Sequence, residues 1–356
     1  MSFNRININL GGRIDYANSK GRFFEDPTDP TSNLLTGKDK YQLSPRLGIG
    51  FPITDRTTLR FNYGQFFQVP EYRNLYAGST VDFNAPSPLF GNPHLQAQKT
   101  VNFEISIKQL FLDDWTIELT PWQRDQTGQT GTIGIVGFDT LDLGSYKYST
   151  FLNRDHATSK GFDVVINKSL SNQWFGSMNY TWSKATTNQY YSWSGYWNSI
   201  TAENDPQKEF PAAYDQTHVL TLNLGMQTLK NGGIKLGGWT PLENSLVNLV
   251  FNMASGLPYT PRVGSREAEP NSARKPTSLQ LDGMFRKDFV FGKDTRFSIY
   301  ARVINLFDRL NALSVFSATG SADLPDRGAA GTTTLFNRPY FYGPRRAIDI
   351  GFRLSF

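Results

Sequence analysis

Three histidines, His94, His156 and His218, are the side chains in this sequence best suited to acid–base or metal chemistry. They stand far apart, without the spacing of a metal site, and His218 reads as a rim residue at a strand start after Asp215. Cysteine is absent, which removes thiolate nucleophiles, disulfides and Cys-based metal sites. There is no Gly-rich phosphate loop, no Gly-x-Ser-x-Gly elbow and no His-Glu-x-x-His. Asp26-Pro-Thr-Asp29 and Glu203-Asn-Asp205 could offer oxygen atoms to Ca²⁺, but they lack the ordered spacing of a calcium loop and read as solvated acidic loops. The expectation is therefore a protein that is not an enzyme and needs no cofactor.

Aromatic residues carry more promise. The run Gln189-Tyr-Tyr-Ser-Trp-Ser-Gly-Tyr-Trp197 places Tyr190, Tyr191, Trp193, Tyr196 and Trp197 in one connection, beside Ser and Asn. Stacked rings hold sugar faces or flat ligands, and the polar neighbours add hydrogen bonds; a self-packed or interface-hugging loop is the competing reading. Phe66, Phe67 and Tyr72 lie at another strand–loop junction and divide in the same way.

The elements that must position these residues are strands. From Asn4, one parity reads Ile6, Ile8, Leu10, Ile14, Tyr16 and the other Asn7, Asn9, Arg13, Asp15. The same alternation returns at Val101, Phe103, Ile105, Ile107, at Leu220, Leu222, Leu224, and at Ile348, Ile350, Phe352, Leu354, Phe356. About twelve strands fit, starting near residues 4, 41, 57, 99, 115, 158, 174, 215, 246, 277, 295 and 345. Several have the roughly ten residues that a tilted strand needs to cross a bilayer. Connections alternate in length. Turns at 52–56, 112–114, 170–172 and 292–294 are short, and those at 17–40, 69–98, 126–157, 185–213, 257–276 and 306–344 are long; the one near 228–245 is longer than a turn.

Composition decides what such strands can build. Only 38% of the 356 residues are hydrophobic, yet 14% are aromatic, with 27 Phe and 16 Tyr, and the mean hydropathy is −0.43. A transmembrane barrel needs apolar residues at only every second strand position, so low mean hydropathy suits it. Charged groups on the polar parity, and Tyr16, Tyr41, Phe51, Trp115, Trp174 and Trp182 near strand ends, favour lipid on the apolar face. No apolar stretch reaches the length of a membrane helix. The net charge of +5 is dispersed with both signs mixed, which argues against nucleic acid. Short turns at one rim and long loops at the other imply periplasmic turns, extracellular loops and, with an even strand number, periplasmic termini.

Five segments in order then resemble the barrel of TonB-dependent receptors, especially the large nutrient receptors of Bacteroidetes-like bacteria. They are Tyr41-Gln-Leu-Ser-Pro-Arg-Leu-Gly-Ile-Gly-Phe-Pro-Ile-Thr-Asp55 running into Leu59–Pro70, Asp215-Gln-Thr-His218, Ala254-Ser-Gly-Leu-Pro-Tyr-Thr-Pro261, Ala301-Arg-Val-Ile-Asn-Leu-Phe-Asp308, and Tyr342-Gly-Pro-Arg-Arg346 leading to Phe356. The resemblance implies the last part of a barrel of about 22 strands. It also implies a plug, a TonB-contacting segment and a signal peptide, none of which this sequence matches. The implied role is uptake of a glycan, iron chelate or vitamin, with outer-membrane lipid, TonB (through the plug) and a surface lipoprotein as partners. Ile350, Phe352, Leu354 and the terminal Phe356 resemble the signal read by the barrel-assembly machinery. A self-contained small barrel acting as passive pore or adhesin is the alternative, and an outer-membrane hydrolase a third.

Overall fold

The computed structural model describes residues 6–26, 31–78, 88–138, 145–189, 191–196, 208–230, 232–233, 237, 240–264, 266–292, 295–325 and 338–356. Twelve long strands run antiparallel in chain order, each hydrogen-bonded to the next. They are β1 Asn7–Asn18, β2 Asp39–Thr54, β3 Thr57–Gln68, β4 Gln98–Leu112, β5 Trp115–Phe138 and β6 Ser145–Ser171, then β7 Trp174–Thr187, β8 His218–Gln227, β9 Ser245–Ala254, β10 Ser278–Phe291, β11 Thr295–Ile304 and β12 Ala347–Ser355. The sheet is an all-β meander whose two ends are β1 and β12.

Register lines up like with like. Ile8, Ile49, Phe61 and Ile105 form one row across β1–β4, and the row beside it is Asn9, Gly48, Asn62 and Glu104. Across β7–β10 the rows are Met178, Leu222, Phe251, Leu281 and, on the other face, Asn179, Thr221, Asn252, Gln280. A one-residue slip would invert every strand, so the pattern fixes the pairing.

The apolar face is the uncovered one. Leu10, Leu224 and Ile350 are 79%, 60% and 68% exposed, while Ser44, Ser106 and Ser298 are buried. A water-soluble sandwich reverses this order. The polar face is stitched by hydrogen bonds: Asn62 donates to Glu104 at 2.9 Å, Ser106 to Glu118 at 2.6 Å and Arg124 to Asn102 at 2.8 Å. Aromatic pairs sit near the strand ends, with Tyr16 5.2 Å from Tyr41 and Phe111 6.0 Å from Trp115, the placement of interfacial girdles.

At the short rim, Asn172 and Gln173 both take positive φ (49° and 73°), as a two-residue hairpin turn demands. The long segment 228–244 belongs to this rim, because β8 and β9 pair on either side of it. One expectation needs correcting. Residues 126–157 are largely not a loop: β5 and β6 have 24 and 27 residues and pair out to Phe138 and Ser145. A crossing needs only about 9–11 residues, so this hairpin stands roughly 40 Å clear of the sheet at about 3.3 Å per residue. Its outer sequence, Gln126-Thr-Gly-Gln-Thr-Gly-Thr132, has no apolar parity. Outside lipid none is needed, and the hydrophobic signature of a strand disappears.

Candidate functional site

The compact apolar core that the described residues form lies at the long-connection rim. Leu75, Leu95 and Phe151 make its centre, with Trp193 packed against them, and Phe151 is 0% exposed. Three connections meet there: the short helix α1 (Tyr72–Tyr76) and residues 88–97 between β3 and β4, the β5–β6 hairpin, and residues 188–196 after β7.

Backbone pairing welds them. Leu89–Phe90 adds as a parallel strand to Ser149–Thr150 of the hairpin. The Asn153 side chain imitates a strand partner: its Oδ1 accepts from Gln96 N–H at 2.7 Å and its Nδ2 donates to Gln96 carbonyl at 2.9 Å. Tyr196 N–H donates to Thr132 Oγ1 at 2.7 Å. The adjoining residue must be glycine, since a Cβ on Gly195 would lie 2.0 Å from the Thr132 carbonyl oxygen.

This geometry separates the aromatic candidates. Trp193 is packed edge-on against Phe151 at 5.5 Å and Tyr196 at 6.4 Å, with the Arg73 guanidinium 5.6 Å over its ring. It holds the rim together. Tyr191 and Tyr72 remain exposed, and Tyr72 lies 6.4 Å from Tyr76. Phe66 is on the polar parity, in line with Gly64 and Asn102, and Arg46 stacks on it at 4.8 Å. Phe67 lines a cavity of about 480 Å³ along the β1 edge. Tyr190 and Trp197 lie outside the described residues. Ile350, Phe352 and Leu354 form the uncovered apolar row of β12, and Phe356, exposed too, follows the strand's end.

A second cavity, of about 280 Å³, opens under the welded rim on the polar face, where Gln68 faces Gln98. Asn74, Thr130 and Gln189 line it, and each carries a buried polar atom without a hydrogen-bond partner. Gln189 heads the aromatic run but carries no signal of its own there, and Asn74 and Thr130 do not stand out in the sequence. Thr130 sat in the stretch that reads as loop, and isolated Asn and Gln residues carry no pattern.

The remaining connections are clasped by ion pairs. Asp215, 1% exposed, accepts from Ala185 N–H at 2.7 Å and from the Arg274 guanidinium, which also donates to the Asp215 carbonyl at 2.8 Å. His156 Nε2 lies 3.0 Å from Glu209, and Thr186 donates to the same carboxylate at 3.0 Å; these bonds, the first above all, hold the Glu209 carboxyl below its usual range. His94 packs edge-on to Phe23 at 4.8 Å, and its burial, reinforced by Lys38 and Lys40, lowers its pKa. His218 Nδ1 lies 2.9 Å from the Tyr180 hydroxyl. Among the described residues no group of three His, Asp or Glu could hold a metal ion. Asp26 uses its backbone on Ser32, while Asp29 and Glu203–Asp205 fall outside the described residues.

The family model described as "TonB dependent receptor-like, beta-barrel" matches residues 1–306. No curated protein matches the chain. Among solved structures, FpvA of P. aeruginosa with heterologous pyoverdines bound is 14% identical with a TM-score of 0.58, over 100% of this chain and 37% of that one. The ferric-catecholate import receptor Fiu from K12 E. coli is 16% identical with a TM-score of 0.56, over 99% and 43%. The outer membrane transporter YddB from Escherichia coli is 10% identical with a TM-score of 0.61, over 98% and 45%. The chain thus spans less than half the length of each, and at these identities the likeness is one of fold.

Proposed function

Since this chain belongs to the TonB dependent receptor-like β-barrel family, a family of outer-membrane transporters and not of enzymes, we propose that it forms the later part of a barrel that captures a nutrient and passes it inward. On this reading the connections of the long rim, with the projecting β5–β6 hairpin among them, are extracellular and gather the ligand, the short turns and both termini face the periplasm, and TonB acts through a plug domain. The observation that carries it is the inverted sheet, apolar outside and polar inside, crowned at its long rim by three welded connections around Phe151.

Tyr191, Tyr72 and Phe66 are the ligand-contacting aromatics this reading favours, while Trp193 and Tyr196 position them. The order of motifs shared with nutrient receptors of Bacteroidetes-like bacteria supports a nutrient cargo, with a surface lipoprotein as co-receptor. Glycan, iron chelate and vitamin are the cargo classes. Ile350, Phe352, Leu354 and Phe356 would deliver the last strand to the barrel-assembly machinery. A small passive pore is disfavoured because β1 and β12 stand at opposite ends of the sheet.

The test is uptake of labelled maltohexaose, ferric enterobactin and cyanocobalamin by cells producing the protein, with and without functional TonB. Accumulation of one of them only with TonB is the expected result. Equal accumulation in both strains would point to a pore and end the reading.

A further inference from the structure

The cavity of about 280 Å³ under the long rim has an unusual lining. Among the described residues, five side-chain amides, Asn74, Gln98 and Gln189 among them, and three aliphatic hydroxyls, Thr130, Thr187 and Ser192, surround it, with no Lys or Arg. Its one carboxylate, Glu71, is spoken for by Arg73 at 2.6 Å. Asn74 and Thr130 are 4% and 2% exposed, yet Asn74 Oδ1, Thr130 Oγ1 and Gln189 Oε1 have no partner in the protein.

Buried polar atoms left unpaired are costly, and such groups are rare unless something else satisfies them. Here three residues that line one cavity each carry such an atom, with almost no surface open to the space itself. The terminal torsion of an amide is broad, so small rotations turn Asn74 and Gln189 onto a molecule in it. Tyr214, exposed beside them, offers a ring face.

We propose that this cavity is a subsite for a neutral, hydroxyl-rich ligand of the saccharide class; the assignment rests on the uptake reading above and narrows its cargo. Amides and hydroxyls both donate and accept, which matches sugar hydroxyls. An anionic metal chelate or phosphate would call for Arg or Lys in the lining. The larger cavity at the β1 edge does contain cations, Arg13, Lys20 and Lys40, of which Arg13 is bound to Asp15 at 2.6 Å and Lys40 is held by the Pro93 and Leu95 carbonyls. At about 280 Å³ the polar cavity is just below the range of whole-ligand sites, about 300–1,000 Å³, and suits a ring or two of a longer chain.

The experiment uses outer membranes from cells producing the protein from its own gene. Binding of fluorescent maltohexaose, xylohexaose and mannohexaose is measured beside ferric enterobactin and cyanocobalamin, for the unaltered protein, Thr130→Val and Asn74→Leu. At least one saccharide should bind saturably, and each substitution should weaken it about tenfold, the loss of one good hydrogen bond. Removing an unpartnered hydroxyl should leave the heat-modifiable band and its melting midpoint unchanged or raised, so a weaker Thr130→Val cannot be put down to misfolding. Absence of binding by all three saccharides, or binding that neither substitution changes, overturns the proposal. Enterobactin or cobalamin binding lost in Thr130→Val overturns the saccharide assignment and leaves uptake standing. Pocket-sensitive saccharide binding without TonB-dependent accumulation supports the subsite and removes the uptake reading instead.

Discussion

The side-chain amide of Asn311 pairs with the backbone of Leu279 as a neighbouring strand would. Leu279 N–H donates to Asn311 Oδ1 at 3.0 Å, and Asn311 Nδ2 donates to the Leu279 carbonyl at 2.9 Å. The β11–β12 connection is thereby fastened to the start of β10. Asn153 does the same to Gln96 on the other side of the rim. In each case one amide satisfies both the N–H and the carbonyl of a single backbone residue across the rim.

Replacing Asn311 by Leu keeps the volume and leaves the Leu279 N–H and carbonyl unpaired. A loss of roughly 1–3 kcal/mol per unsatisfied group is expected, concentrated locally. Limited proteolysis of residues 306–325 should accelerate while the strands stay protected. Unchanged cleavage would show that Asn311 does not hold this connection.

The Asp215–Arg274 pair makes a sharper case. Arg274→Ala leaves a carboxylate that is 1% exposed without its cation. Breaking a buried pair from one side costs about 3–5 kcal/mol. Combining Asp215→Asn with Arg274→Met removes the charge as well and should recover most of the loss. Thermal midpoints of the heat-modifiable band for the two variants decide it; equal damage in both would mean the pair contributes through packing alone.

Glu209 predicts a pH response. Its carboxyl is held below its usual range by His156 and then Thr186, so its folded-state pKa is depressed. The clasp is fully present above the ordinary glutamate value of about 4.5 and is lost as pH falls through the lower folded-state value. Protease sensitivity of residues 208–217 should rise on acidification below that point. In Glu209→Gln the connection should be looser at neutral pH and show no such step; a step that survives the substitution would assign it elsewhere.

Much of this was legible in the sequence where lipid imposes a rule. Ile8, Ile105, Leu222 and Ile350 alternate because one face must be apolar, and the strands they mark are present with boundaries moved by a few residues. Legibility stops at the membrane edge. Gln129 and Thr130 continue β5 without an apolar parity, so they read as loop, and the cavity they help to wall was hidden with them. Trp193 and Tyr191 look alike in sequence; only the packing of Phe151 against one of them tells a strut from an exposed ring.

Face assignment is open to direct trial. Leu224→Arg puts a charge on the uncovered apolar row, and Thr221→Arg puts one on the polar row. A lipid-facing Arg costs about 2–4 kcal/mol at the midplane and much less inside the lumen. Assembled protein in the outer membrane should fall steeply for the first and little for the second. Equal tolerance would remove lipid from the apolar face. Orientation needs a separate measurement, and the absence of cysteine makes it clean. An impermeant thiol reagent on intact cells should label Tyr191→Cys and not Asp55→Cys, and the opposite result would turn the molecule over.

The last expectation concerns the two edges. Among the described residues β1 pairs only with β2 and β12 only with β11, so each leaves a row of N–H and C=O groups facing outward. In hydrocarbon each such group costs several kcal/mol, which is why spanning sheets close. Closing these twelve strands on themselves would require β1 to meet β12. It would also narrow the lumen around inward groups such as Arg13, Glu104, Asp282 and Arg353. The polar face carries the ion pairs Arg302–Asp349 at 2.6 Å and Arg13–Asp15, charges that a tighter curve would bring closer together. The 356-residue chain refolded alone in detergent should therefore give heterogeneous oligomers joined through these edges, without a heat-resistant monomer. Cross-links between cysteines placed at Asn9 and Arg353 would then form between molecules. A monodisperse monomer that forms that cross-link internally and conducts ions reproducibly would show that twelve strands suffice, and would restore the pore.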